Sequence, residues 1–370
     1  MTAAKARRRR LALVALVALG AAAFVFGASL GDSTPPRIGV AETLPARQLA
    51  GQRLIAGLEG TAISPRLQAA IGKGRLAGLV LFADNFPSRD AGRRLVARLQ
   101  AIPRPRGLRE PLLIMVDQEG GLVKRVDGAP TVAAAAIGAR GAAFAHRQGR
   151  LTAAGLRPLG VNVDLAPVLD VARPGGTIAA AERGFGATAT RVAATAIPFA
   201  TGLQAGGVAA TAKHFPGLGA AAESTDFATQ RIGLPAAELS AVDEAPYRAF
   251  VAAGGKLVML STAVYPAISP DPAAFSRAIV SGELRGRLGF EGVAVTDALD
   301  TVAVRAFGGP ERAGLAAARA GSDLLLFTAL APAERAWRAL VGKLHAGALG
   351  RGEFERSAER VLDLRRQLSR

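Results

Sequence analysis

The stretch "GVAVTDAL", residues 292–299, carries a small or β-branched run with no charge in it, closed by a threonine and an aspartate. An uninterrupted apolar run of this kind suits a strand buried on both faces, as in a parallel sheet. Comparable runs recur along the chain: "QRLIAGLEG" (52–60), "LAGLVLF" (76–82), "PLLIMVD" (111–117), "VNVDLAP" (161–167), "GVAATAKHF" (207–215), "KLVMLST" (256–262) and "SDLLLF" (322–327). Between them lie Ala-, Leu- and Arg-rich stretches of helical period, such as "RDAGRRLVARLQAI" and "GPERAGLAAARAG". About eight strand–helix units can be counted, which predicts an α/β fold of the (β/α)8 TIM-barrel type rather than an open doubly wound sheet. No G-x-G-x-x-G fingerprint follows a strand and no Walker loop is present, which removes the main support for a nucleotide-binding sheet.

The 370 residues, half of them apolar, are enough to bury a large core. With no cysteine, a disulfide scaffold, a thiol nucleophile and thiolate metal sites are excluded. Three scattered histidines argue against a histidine-rich metal site. "KARRRR" runs directly into "LALVALVALGAAAFVFGASL", and as a helix this apolar block would extend about 30 Å, enough to cross a bilayer. The positive cluster before it directs the rest of the chain outward. "FGASLGDS" offers small residues for cleavage, but the block is long for a signal peptide, so a retained anchor or uncleaved signal is expected. The expected organisation is a basic cluster with a signal or transmembrane helix over 1–30, a Pro-rich linker over 31–47 and a barrel domain over 48–370.

Of the formal charge of +17, Lys5 and Arg7 to Arg10 supply five, and the remaining +12 is spread without a block. Neither a basic arm nor an aromatic stacking platform is visible, so no nucleic-acid partner is expected. A basic exported domain is drawn to an anionic envelope polymer, although an Arg- and Ala-rich composition can equally be a genomic habit.

Asp117, Asn162, Asp164, Lys213, His214 and Asp297 all stand within or just after the C-terminal parts of apolar runs. In a barrel those ends converge on one rim, where polar groups share a pocket. Any one of them taken alone is better explained as a cap or a satisfied core residue. Their recurrence at equivalent places on different strands points to a site.

Six motifs carry a resemblance: "DQEGGLVKR" (117–125), "VNVDLAPVLDV" (161–171), "RGFG" (183–186), "AKHFPGLG" (212–219), "LVMLSTAVYP" (257–266) and "LRGRLGFEGVAVTDAL" (284–299). In this order they resemble glycoside hydrolase family 3, and more narrowly its single-domain β-N-acetylhexosaminidases acting on muropeptides. The resemblance runs from about residue 48 onward, and no second domain is expected after the barrel. It implies retaining hydrolysis through a covalent glycosyl-enzyme, with no metal or cofactor, because two side chains and water suffice.

On this resemblance the nucleophile falls on Asp297, held on a rigid strand end and expected to stay ionised beside cationic donors. Asp117 would accept from sugar hydroxyls, with Arg125, Arg183, Lys213 and His214 donating around the same ring. Asn162 and Asp164 are expected to brace loops, Glu119 to support the site from behind, and Asp300 to cap or face solvent.

The chain also departs from the family pattern. Leu218 stands where the family has a second histidine, "STD" (224–226) where it has an Asp-Ser-His triplet, and Thr262 where a histidine is usual. Asp226 thus occupies the place of the acid/base histidine and is the expected replacement, with Glu223 the second choice. Two outcomes are open: an exported, membrane-tethered β-glycosidase taking β-linked amino-sugar or glucoside substrates such as muropeptides, or an impaired relative that only binds glycans. A monomer is expected in either case.

Overall fold

The computed structural model describes residues 39–369. The membrane-targeting segment expected over 1–30 lies outside the described residues, among which no helix is long and apolar enough to cross a membrane. One compact unit spans Val40–Arg370. Part of the expected linker is seated on it: Ala41 and Leu44 are buried, Ala41 N donates to Glu359 Oε2 at 2.8 Å, and Arg47 O accepts from Trp337 Nε1 at 2.9 Å.

Each of the eight apolar runs contains a strand: β1 Leu54–Gly57, β2 Gly78–Val80, β3 Leu113–Val116, β4 Val163–Asp164, β5 Ala209–Phe215, β6 Leu257–Leu260, β7 Val293–Thr296 and β8 Leu325–Phe327. They pair in chain order, all parallel, and β1 pairs with β8 through Leu54↔Leu325, Ile55↔Leu326 and Ala56↔Phe327. Between β7 and β8 the contact is a parallel bridge, Val295↔Leu324, with Thr296 N donating to Leu324 O at 2.9 Å, so the barrel is nearly closed. The longer helices covering it are α1 Arg89–Ala101, α2 Ala142–Leu156, α3 Ala189–Ala205, α4 Gly309–Ala320, α5 Leu330–His345 and α6 Arg351–Leu368. Two of them start where a hydroxyl satisfies a free N–H: Ser88 Oγ accepts from Ala91 N and Thr188 Oγ1 from Arg191 N, both at 3.2 Å.

Successive strand residues enter two different cores. Ile55, Val80, Leu113, Met115, Val163, Leu257, Val293 and Val295 belong to the cluster that fills the barrel. Their strand neighbours, among them Ile114, Val116, Val258, Leu260 and Ala294, pack outward against the helices. Both faces being buried is the reason the runs are continuously apolar rather than alternating. Truncating a leucine, isoleucine or methionine among them to alanine should cost about 2–5 kcal/mol.

Val361 and Leu364 of α6 join the interior cluster and close the end at which the strands begin. Polar contacts at that end agree with this placement. Arg360 pairs with Asp323 just before β8 at 2.8 Å, and Arg365 Nε donates to Pro111 O just before β3 at 3.0 Å. The opposite end, where the strands finish, is left for a site.

Candidate active site

β5 delivers two consecutive charged or polar side chains to the same place, Lys213 and His214. In a regular strand neighbours point to opposite faces. Here the β5–β6 register shifts between Ala212 and Phe215, and the Lys213–His214 peptide is cis. A register irregularity re-aims side chains near sites, and both residues line one cavity of about 180 Å³. Asp117, Arg125, Arg183, Asp226 and Asp297 line it too, so every residue expected to bind or react is brought together there. A larger cleft of about 440 Å³ lies between α6 and the beginnings of β6 and β7. That is the end of the barrel which α6 closes, so chemistry rather than volume identifies the site.

The floor is a network of buried charges. Lys213 Nζ lies 2.7 Å from Asp117 Oδ1 and 2.6 Å from Glu119 Oε1. Arg183 clamps Glu119 with two parallel bonds of 2.9 and 2.8 Å, and Arg125 Nη2 reaches Asp117 Oδ2 at 3.3 Å. Burial pushes the Asp117 carboxyl up, but Lys213 and Arg125 outweigh it and hold it below the ordinary carboxylate range. Burial also pushes Glu119 up, and Lys213 and Arg183 drive it far below. Burial lowers Lys213, and the two acids more than restore it. These groups therefore remain charged together at neutral pH. Glu119 is absent from the cavity wall and supports Lys213 and Arg183 from behind.

His214 is fixed by a residue that sequence reasoning missed. Asp170 Oδ2 lies 2.8 Å from His214 Nδ1, while its Oδ1 accepts from the backbone N of His214 at 3.1 Å and of Leu218 at 2.7 Å. A carboxylate on Nδ1 assigns the proton there and leaves Nε2 to the cavity. Asp170 follows β4 on an extended segment that continues the pairing with β5 through Val168↔Lys213. The available signal was the second apolar run of the 161–171 motif, which ends in this acid.

Asp297 ends β7. Its backbone N donates to Leu260 O at 2.9 Å, and its Oδ1 accepts from Ala298 N at 2.8 Å, which orients the carboxylate. Its pKa lies above the ordinary carboxylate value: burial pushes it up, the nearby Asp226 carboxylate adds to this, and His214, the Ala298 N–H and Lys213 oppose it without cancelling it. The cost of desolvation at the strand end is what cationic neighbours alone did not reveal. Asp226 is exposed on the loop after β5, where Ser224 Oγ donates to its Oδ2 and accepts from its N, both at 3.2 Å.

The remaining departures fall as follows. Leu218 is buried in the cavity wall, whereas Thr262 is buried and not part of it. Glu223 is exposed and outside the wall. Asn162 braces β3, with Oδ1 accepting from Ile114 N at 2.8 Å and Nδ2 donating to Leu112 O at 2.9 Å. Asp164 accepts from Gln118 N at 3.0 Å, and burial pushes its carboxyl well up. Asp300 accepts from Thr328 N and Oγ1 at 3.0 Å and so ties down the loop after β8.

The chain is similar over most of its length to known proteins. The profile of the glycosyl hydrolase family 3 N terminal domain matches residues 47–364. An uncharacterized secreted glycosyl hydrolase of Arthroderma benhamiae is 35% identical over 94% of this chain and 99% of its own length. A beta-hexosaminidase of Xylella fastidiosa is 35% identical over 80% of this chain and 92% of its own. Among solved structures, a beta-N-acetylhexosaminidase of Beutenbergia cavernae superposes with a TM-score of 0.81 at 34% identity, covering 87% of this chain and 98% of that one. A family 3 beta-N-acetylglucosaminidase of Paenibacillus gives a TM-score of 0.83 at 33% identity over 88% of this chain, which spans 63% of that protein's chain.

Proposed function

The chain belongs to glycosyl hydrolase family 3 and is a glycosidase, and from that premise we propose that it is an exported retaining β-N-acetylglucosaminidase-like enzyme acting on cell-envelope glycans such as muropeptides. Asp297 attacks the anomeric carbon as the bond to the leaving oxygen breaks, and Asp226 gives that oxygen its proton. Asp226 then takes a proton from water, whose oxygen displaces Asp297 and releases the sugar. Asp117 accepts from ring hydroxyls while Arg125, Arg183 and Lys213 donate, and His214, whose Nδ1 proton is held by Asp170, offers Nε2 as an acceptor rather than the expected donor. The apolar segment over 11–30 would tether the enzyme on the outer side of the membrane.

The observation that carries this reading is the Asp297 carboxylate, oriented by Ala298 N in the same cavity as Lys213 and His214. The test is turnover of para-nitrophenyl N-acetyl-β-glucosaminide and the corresponding β-glucoside. Asp297→Ala should abolish it, and azide should rescue Asp226→Ala by replacing the water step. A wild-type protein inert towards both sugars that still binds glycans favours the second reading, an impaired glycan-binding relative. Two features favour that alternative: Leu218 fills the wall where a histidine is usual, and Asp226 is solvent-exposed.

A further inference from the structure

The two ends of the barrel differ in charge. At the end closed by α6, Lys73 before β2, Arg106 and Arg109 before β3 and Arg157 before β4 are exposed. None of the four has an ion-pair partner among the described residues. The segments that carry them adjoin. A Cβ at Gly74 would lie 2.8 Å from Leu108 Cδ1 and 3.4 Å from Pro105 Cγ. Arg109 and Arg157 line one cleft of about 450 Å³ together with Arg104, and no acid lines it. Arg104 is fixed there, with Nη1 donating to Gln100 O at 3.0 Å and Nη2 to Arg109 O at 3.3 Å.

The acids of this end do not neutralise the patch. Glu42 is exposed in the first described helix and Glu110 is half-buried near Arg104, and the cations outnumber them. Glu353, Glu355, Glu359 and Asp363 of α6 each pair with an arginine, and Asp323 is buried between Arg285 and Arg360. Beside β6 and β7 the charge is mixed, with Glu291 and Asp363 sharing a cleft with Lys256 and Arg360. In the loops that follow strands the balance reverses: exposed acids such as Glu59, Asp84, Glu182 and Glu223 outnumber the exposed cations Arg231, Arg277 and Arg305.

The chain also enters at the basic end. A Cβ at Gly107 would lie 3.9 Å from Val40 Cγ1, so the helix Val40–Thr43 starts beside the loop that holds Arg106 and Arg109. A tether over 11–30 leaves residues 31–38 as the connection, at most about 30 Å long when fully extended. Cations kept this close to a bilayer are drawn to anionic headgroups, an attraction that acts over roughly 8 Å in physiological salt.

We propose that the basic face around Arg109 and Arg157 docks on anionic phospholipid headgroups, which turns the cavity away from the membrane and towards the envelope glycans. This rests on the tethered-enzyme reading and adds an orientation to it. The test is amide hydrogen exchange of the full chain on lipid nanodiscs, either of phosphatidylcholine alone or of phosphatidylcholine mixed with phosphatidylglycerol. Residues 73–77, 102–110 and 157–160 should exchange more slowly on the anionic discs, residues 223–227 should not, and high salt should remove the difference. Lys73→Gln, Arg106→Gln, Arg109→Gln and Arg157→Gln, all at exposed positions, should each lower that protection by up to about fivefold and leave glycoside turnover in detergent unchanged.

Equal exchange on both kinds of disc, with the chain retained on both, overturns the docking and leaves the tether intact. A chain that stays off the zwitterionic discs but is held on the anionic ones through these segments supports the docking and removes the tether. A chain that stays off both removes both. Stronger protection of the same segments by soluble poly(glycerol phosphate) than by anionic discs assigns the face to an anionic polymer and overturns the lipid proposal.

Discussion

Asp297 is held where its charge is costly, and two consequences follow at the scale of the single residue. Its folded pKa lies above the ordinary 3.8. The native state therefore holds the proton more tightly than the unfolded chain, and stability falls as pH rises from 3.8 through the folded value. Asp297→Asn should thus melt at a higher temperature than the parent at pH 7 while losing about four orders of magnitude or more in kcat. The acid limb of kcat/KM, which reports the ionised nucleophile, should sit above 3.8 and move down in Lys213-retaining variants that remove the Asp226 charge. Glu119 has the opposite sign. Its pKa is driven below the ordinary 4.5, so its contribution is complete above that pH and is lost as the solution is acidified. Glu119→Gln leaves Arg183 facing a neutral amide and should cost about 3 kcal/mol in urea unfolding at neutral pH.

At the scale of the element, β5 and its loop decide the site. The lysine and histidine at the end of an apolar run, followed by Pro-Gly, were legible as the mouth of a pocket because such groups are expensive in a sealed core. The partner that fixes the histidine was not legible. Asp170 sits beyond a two-residue strand, on an extended segment whose pairing with Lys213 has no periodic pattern in sequence. The loop itself is clamped from below: a Cβ at Gly219 would lie 1.9 Å from the carbonyl oxygen of Val171, a backbone atom that cannot swing aside. Gly219→Ala should therefore cost about 1–3 kcal/mol and lower activity by displacing Leu218 and the segment leading to Asp226. A drop in melting temperature with an unchanged kcat/KM would show that the loop moves independently of the wall.

At the scale of the whole molecule, α6 is the plug that makes one end of the barrel a foundation and leaves the other for chemistry. Arg365 is almost fully buried at the closed end, donating to Pro111 O at 3.0 Å and to Glu110 O at 2.6 Å, with Gln52 Oε1 as a third partner. Arg365→Ala leaves those acceptors unsatisfied and should cost at least about 1.5–3 kcal/mol by chemical denaturation. The position of the eight strands, their parallel order and the rim on which the acids and cations meet were all determined by the sequence itself. Burial on both faces writes a strand as a continuous apolar run, and a charge can be accommodated only where that run ends. What the tertiary structure alone decided is which charges touch and what protonation they prefer. Asp170 meets His214, Glu119 joins Lys213 to Arg183, and Asp297 is desolvated among them. Contact and desolvation depend on residues distant in the chain, and no local pattern records the dielectric they create together.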